Sequence, residues 1–358
     1  MASSKRNLPG LDTNPLNIPA LHTALYWLVI PVRTSLQCGL VLALLAVLLS
    51  GCGRRNKVLE IAYVSSPQAN LRDRVAAVYN KTGAVRNGDR VQVLERDRRF
   101  VRVRTDAGLE GWIEQRYLVS QQVYDGFQKL AQQEKGDPVQ AAGTTHTDTN
   151  IHLEPGRETE HLYQLNQGSK ISILKRATAE KVLPGITAKP AGNESSKPVT
   201  PVMEDWWLVH DTEGHTGWVL ERMVDLDVPL EIAQYAEGQR TVAFFVLDEV
   251  NDGPKKVAQY LVLLTESKDG MPFDYNQVRV FTWNVKRHRY ETAYREHKLN
   301  GVLPATVSQE SFEKEGTLPV FILRVKDDDG NVTERKYKLN TPIVKRVLAP
   351  GEQPGRKK

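Results

Sequence analysis

Gly88-Asp-Arg-Val91-Gln-Val93-Leu94 and Gly168-Ser-Lys-Ile171-Ser-Ile173-Leu174 match position for position, and this pair decides how the chain is read. A second pair fixes the register. Gly108, Gly111-Trp112, Arg116 and Leu118 have the same spacing as Gly214, Gly217-Trp218, Arg222 and Val224, and Phe100 and Trp206 lie equally far before their Gly-Trp pairs. The chain therefore carries one unit twice. Val91 and Val93, then Val101 and Val103, alternate with polar residues, the period of half-buried antiparallel strands. Asp106-Ala107-Gly108 and Thr212-Glu213-Gly214 supply glycine hairpin turns. Upstream, Ala69-Asn70-Leu71-Arg72 is set against His152-Leu153-Glu154-Pro155, with the distance to the next strand differing by two residues.

Leu71-Arg72, the Gly88 motif, the aromatic strand and Gly111-Trp112-Ile113 leading to Tyr117-Leu118 resemble the bacterial SH3 domain. The resemblance implies a small barrel over residues 60–120. It implies a second, more divergent one over 145–227, without the Asn-Leu-Arg start and with 26 extra residues between Leu174 and Trp206. The insert, taken as 177–204, is rich in Pro, Gly and Ser and is expected to be a mobile loop. Gly88, Gly111, Trp112, Gly168, Gly217 and Trp218 are the structural positions, the two tryptophans being expected to close the barrel cores. Trp206 and Trp207 are neighbours on one strand and point to opposite faces, so one is expected at a surface or a domain contact, where it would be a recognition platform.

Between the copies, 121–144 is read as a helical linker, because Val123, Tyr124, Phe127, Leu130 and Ala131 recur at three- and four-residue spacing before Gly136-Asp137-Pro138. From 228 to 348 seven strands are expected: 240–250, 257–265, 278–285, 290–295, 302–307, 318–325 and 333–339. They would make one further β-sandwich or barrel, followed by a disordered tail, 349–358. The fold class is thus all-β with one short helix. In this third region Arg289, Tyr290 and Tyr294 lie in the densest cluster of charges and aromatics. Alternation places both tyrosines on one face and Glu291 with Arg295 on the other, so cross-strand ion pairs and an anion or glycan site are competing readings.

The first fifty residues differ from the rest. Lys5, Arg6 and Arg33 precede an apolar run ending in Leu49-Ser50-Gly51-Cys52, which reads as a secretion signal. The ending resembles the bacterial lipoprotein box, which implies cleavage between Gly51 and Cys52, diacylation of Cys52 and a tether over 52–59. An uncleaved anchor over the uncharged run from Thr34 to Gly51 is the alternative, and both hold the chain at a membrane. Cleavage would discard Cys38 and leave Cys52 acylated, so no disulfide forms in the mature chain. It would also lower the formal charge from +5 to +3, because Lys5, Arg6, Arg33 and Asp12 are lost. That balance argues against nucleic acid as a partner.

Catalytic patterns do not emerge. The wall hydrolases that often accompany bacterial SH3 modules use a cysteine nucleophile, and the only mature cysteine is Cys52. There is no HExxH, phosphate loop or Gly-x-Ser-x-Gly elbow. Asp327-Asp328-Asp329-Gly330-Asn331 lacks the glycine and glutamate of a calcium loop, and His146, His152, His161, His210 and His215 lack zinc spacing. The expectation is a non-catalytic envelope lipoprotein on the periplasmic side of either membrane, without metal or cofactor. Its SH3-like modules would bind peptidoglycan, or other envelope proteins if it is a scaffold subunit; an enzyme hidden in the third region is the remote alternative.

Overall fold

A computed structural model describes residues 57–75, 80–182 and 201–348. Residues 1–51, Cys52 and the tail 349–358 lie outside them. Within the described residues the chain is all-β: three seven-stranded antiparallel sheets follow one another, with only two helices. All three sheets fall within one compact unit, Lys57–Lys358. No described helix is long and apolar enough to cross a membrane.

The first sheet contains β1 (Glu60–Val64), β2 (Gln68–Arg72), β3 (Lys81–Arg86), β4 (Arg90–Asp97), β5 (Phe100–Thr105), β6 (Glu110–Glu114) and β7 (Leu118–Ser120). The second contains β8 (Ala141–Thr145), β9 (Thr149–His152), β10 (His161–Leu165), β11 (Lys170–Glu180), β12 (Met203–Asp211), β13 (Thr216–Leu220) and β14 (Val224–Leu226). Their spatial orders, β3-β2-β6-β5-β4-β1-β7 and β10-β9-β13-β12-β11-β8-β14, are the same order displaced by seven strands. Arg72 pairs with Trp112 as His152 pairs with Trp218. This pairing corrects the upstream alignment: Asn70-Leu71-Arg72 corresponds to Asn150-Ile151-His152, and Asn70 to Gly88 is as long as Asn150 to Gly168. The second copy therefore has its own version of the Asn-Leu-Arg start.

The tryptophan expectation is also corrected. Trp112 and Trp218 are half-buried on the outer side, and the inward positions belong to Ile113 (2% exposed) and Val219 (0%). Alternation explains it: Gly111 and Ile113 point one way, Trp112 the other. The glycines face inward because the neighbouring strand is too close for a side chain. A Cβ on Gly111 would lie 2.7 Å from Leu71 Cβ, and one on Gly217 would lie 2.7 Å from the His152 carbonyl oxygen.

Two boundaries shift. β8 begins at Ala141, inside the stretch read as linker. Strands β11 and β12 extend into the expected insert, with Ala177 opposite Trp206 and Glu180 opposite Met203; of that insert, 183–200 lies outside the described residues. Between the sheets, α1 (Gln121–Glu134) starts at Ser120, whose hydroxyl accepts from the Val123 N–H. Phe127 (1% exposed) is its buried anchor. Tyr124 stacks on Tyr63 at 3.9 Å, Phe127 meets Tyr163 edge-on, and Tyr163 stacks on His215 at 3.7 Å. The helix thus joins the two sheets through aromatic contacts.

The third sheet is a meander of β15 (Arg240–Asp252), β16 (Lys255–Thr265), β17 (Tyr275–Asn284), β18 (Arg289–Phe312), β19 (Gly316–Lys326), β20 (Val332–Asn340) and β21 (Ile343–Val347). The two strands expected at 290–295 and 302–307 are one strand, β18. Its first half pairs with β17 as far as Gly301 and its second half with β19. The seventh strand is supplied by 343–347 instead. One core continues from the second sheet into the third, including Trp207, Val209, Val242, Leu263 and Phe321. The opposite side of β16 and β17 is covered by α2 (Leu230–Ala233), whose Ile232 packs with Tyr260, Val262 and Phe281.

Candidate functional site

Trp206 and Trp207 do diverge from β12, but both are buried (2% and 1% exposed), so neither is an exposed platform. Trp207 enters the core shared with the third sheet, which makes it the contact residue of the pair. Trp206 faces the other way, onto a groove of about 450 Å³ on the second sheet, lined also by Asn150, His152, Arg157, His161 and Gln164. Two polar atoms in this lining are buried and have no hydrogen-bond partner among the described residues: the indole Nε1 of Trp206 and Oε1 of Gln164. One is a donor and the other an acceptor. Such groups are costly inside a protein unless something pairs with them.

The groove wall is fixed by hydrogen bonds. His152 sits edge-on to Trp206 (5.2 Å between ring centres) and 5.4 Å from His161, its partner across β9 and β10. Its Nδ1 lies 3.2 Å from the Thr159 carbonyl oxygen. Burial, with the neighbouring His161, pushes the His152 imidazole down to about 4, so it is neutral near pH 7 and donates Nδ1–H to that carbonyl. Arg157 clamps Glu204 through two hydrogen bonds of 2.6 and 2.7 Å, which hold this carboxyl below its ordinary range. His152 and His161 looked unrelated in sequence. The signal that would have joined them was the equivalence of His152 with Arg72.

The third-region cluster does not assemble. Tyr290 is buried, with its hydroxyl donating to the Ala258 carbonyl, and packs with Tyr260 and Trp283. Tyr294 lies against the other core, donating to Glu296 and tilted on Tyr337. They occupy opposite faces because Val280 pairs with Tyr294 and Phe281 with Thr292, a bulge at Ala293 that reverses the alternation. Exposed Arg289 pairs with Glu291, as do Arg287 and Asn284. Ion pairing accounts for this charge.

A denser charge cluster joins the second and third sheets. Arg176 (3% side-chain exposure) bonds Asp205 at 2.6 Å and the Phe273 carbonyl at 2.9 Å, while the Gly270 N–H also donates to Asp205. Asp205, Glu221 and Asp269 have oxygens close enough for a metal ion. Arg240 already provides the cation, at 2.8, 3.1 and 2.9 Å from the three carboxylates. Asp205 is shared by Arg176 and Arg240, which leaves Glu221 with Arg240 alone. Burial, aided by the neighbouring Asp205, pushes Glu221 up to about 8.

Residues 67–119 match the family described as the bacterial SH3 domain, and this part of the chain is such a domain. No curated protein matches the chain by sequence. Among solved structures, it is similar to an NlpC/P60 family protein from Bacillus cereus ATCC 10987, with 10% identity, a TM-score of 0.23, and 51% of this chain and 64% of that one covered. It is also similar to NlpC2 (11% identity, TM-score 0.17, 77% and 96% covered) and NlpC1 (10%, 0.16, 77% and 91%) from Trichomonas vaginalis. The family shown within this chain is therefore the bacterial SH3 domain, over residues 67–119.

Proposed function

We propose that this chain is a non-catalytic envelope lipoprotein whose second sheet is a divergent second SH3-like module, and that it binds wall peptide in the groove over Trp206. The observation that carries the reading is the pair of unpartnered buried atoms there, Trp206 Nε1 and Gln164 Oε1. A peptide backbone carries both carbonyl acceptors and N–H donors, the two kinds of group that these atoms lack. The shared strand order of the two sheets and the SH3 match at 67–119 support the modular part. Both cysteines, Cys38 and Cys52, precede Lys57, so residues 57–358 carry no thiol for the cysteine nucleophile of a wall hydrolase.

The test is sedimentation of fragment 57–358, which contains all three sheets, with purified peptidoglycan. Retention is expected, and Trp206→Phe, which keeps a ring but removes the N–H, weakens it by about tenfold. Equal retention of the variant would place binding outside this groove. If nothing is retained while cross-linking in cells captures defined proteins, the chain is an interaction subunit of an envelope assembly instead.

A further inference from the structure

The end of the first sheet that leads back toward residue 52 carries four arginines, Arg96, Arg98, Arg99 and Arg116, set among the acids Glu60, Asp97 and Glu114. Strand β1 runs antiparallel to β4, with Glu60 opposite Val93 and the Leu59 N–H donating to the Val93 carbonyl. Residues 57–59 therefore run toward the β4–β5 hairpin, where Arg98 and Arg99 form the two-residue turn between Asp97 and Phe100. Arg96 reaches Glu60 in an ion pair, which ties the hairpin to this entry point. The Gln115 N–H donates to the Arg99 carbonyl, so Arg116 lies at the same end. Arg98, Arg99, Glu114, Gln115 and Arg116 line one shallow depression. Arg96 and Arg116 are paired with Glu60 and Glu114, whereas Arg98 and Arg99 are exposed and make no ion pair among the described residues.

Contacts with the second sheet are made at the other end of β4, where Asn87 Nδ2 donates to the Leu162 carbonyl and Gly88 lies near Tyr163. An eight-residue strand separates the two ends by roughly 25 Å. Val58 and Leu59 are 39% and 57% exposed beside the arginines. From Cys52 to Lys57 the chain spans at most about 18 Å.

We propose that this arginine hairpin, with Lys57, Val58 and Leu59, is a membrane-facing surface that rests on anionic phospholipid headgroups. The inference rests on attachment of the chain to a membrane near residue 52, by lipid or by the apolar run, since either would bring this end to the bilayer first. Exposed guanidinium groups such as those of Arg98 and Arg99 pair with phosphate even where, as at Arg99 over the Phe100 ring, one face meets an aromatic, and the exposed Val58 and Leu59 can enter the headgroup boundary. A surface of this kind adds a second contact to the anchor.

The experiment uses fragment 57–358, which has no lipid, with sedimentable vesicles of phosphatidylcholine alone or with phosphatidylglycerol. The fragment is expected to bind only the anionic vesicles, and less so at high salt. Arg98→Gln/Arg99→Gln weakens binding by about tenfold or more. Arg287→Gln/Arg289→Gln, an equal charge loss on the third sheet, changes it by less than twofold. Circular dichroism of both variants checks folding. No binding to anionic vesicles, equal binding to neutral ones, or equal losses in the two double variants would overturn the proposal. Fatty-acid labelling of Cys52 reports on the anchor separately, so a fragment that binds from an unlabelled chain removes the lipid and keeps the surface.

Discussion

The side-chain amide of Gln140 makes both hydrogen bonds of a β-ladder with the backbone of Ala305: Nε2 donates to the Ala305 carbonyl at 3.1 Å and Oε1 accepts from the Ala305 N–H at 2.8 Å. Ala305 lies where the β18–β19 register slips between Val302 and Thr306, so its own ladder bonds are missing. Gln140, 0% exposed, replaces them from the segment preceding β8, and its backbone carbonyl accepts from the Phe244 N–H on β15. Gln140→Ala leaves a buried N–H and carbonyl unpaired and is expected to cost about 2–4 kcal/mol in urea unfolding. A loss under about 0.5 kcal/mol would show that water replaces the amide.

Glycine substitutions separate close approach from backbone conformation. At Gly217, Ala would place Cβ 2.4 Å from Ile151 Cγ2 and 2.7 Å from the His152 carbonyl. Gly217→Ala is expected to destabilise by about 3 kcal/mol, whereas Gly214→Ala, at φ +93° with open space around it, costs about 1–2 kcal/mol. Melting curves of the two variants give the order.

Much of this architecture was legible because glycine spacing and period-two valines survive in the two copies. Val91, Val93, Val101 and Val103 are all 0% exposed, as the alternation requires. What was not legible depends on single-residue slips. The bulge at Ala293 separates Tyr290 from Tyr294, although four-residue spacing on a regular strand would join them. Asn150-Ile151-His152 was missed because arginine and histidine share a pairing position but no chemistry. The groove over Trp206 needed coordinates, since its walls come from β9, β10, β12 and the turn carrying Arg157.

Glu221 makes the junction of the second and third sheets sensitive to base. Its folded-state pKa is raised from 4.5 to about 8, so the folded protein holds a proton that the unfolded chain releases at lower pH. Stability from this group is full below about pH 4.5 and is lost as pH rises to 8, by at most about 5 kcal/mol. Glu221→Gln is expected to remove that slope. Urea midpoints of the two proteins from pH 5 to 8 decide it, and parallel curves would show that Glu221 stays charged beside Arg240.

His152 acts in the opposite direction. Its folded pKa lies near 4 against an ordinary 6.5, so the unfolded chain takes up a proton first and stability falls as pH drops from 6.5 to 4. The loss is at most about 3 kcal/mol. Charging His152 beside Trp206 and His161 would also disturb the groove wall, so peptidoglycan retention is expected to weaken over the same window. Histidine proton shifts followed by NMR give the titration directly; a midpoint near 6.5 for His152 would remove both effects.

Cys52 precedes the described residues and carries the sulfur on which the proposed lipid anchor depends. Each buried methylene of an acyl chain contributes about 0.8 kcal/mol, so two chains on this sulfur would hold the protein far more firmly than one. Without the sulfur there is nothing to acylate. Cys52→Ala is therefore expected to leave an uncleaved precursor, heavier by residues 1–51, that incorporates no fatty-acid analogue, while the wild type is labelled and begins at Cys52. Mass spectrometry of the N-terminal peptide with metabolic labelling measures both. An unlabelled wild type that still carries residues before Cys52 would transfer the anchor to the apolar run from Thr34 to Gly51, and the arginine hairpin would then meet the same bilayer from the end of a spanning segment.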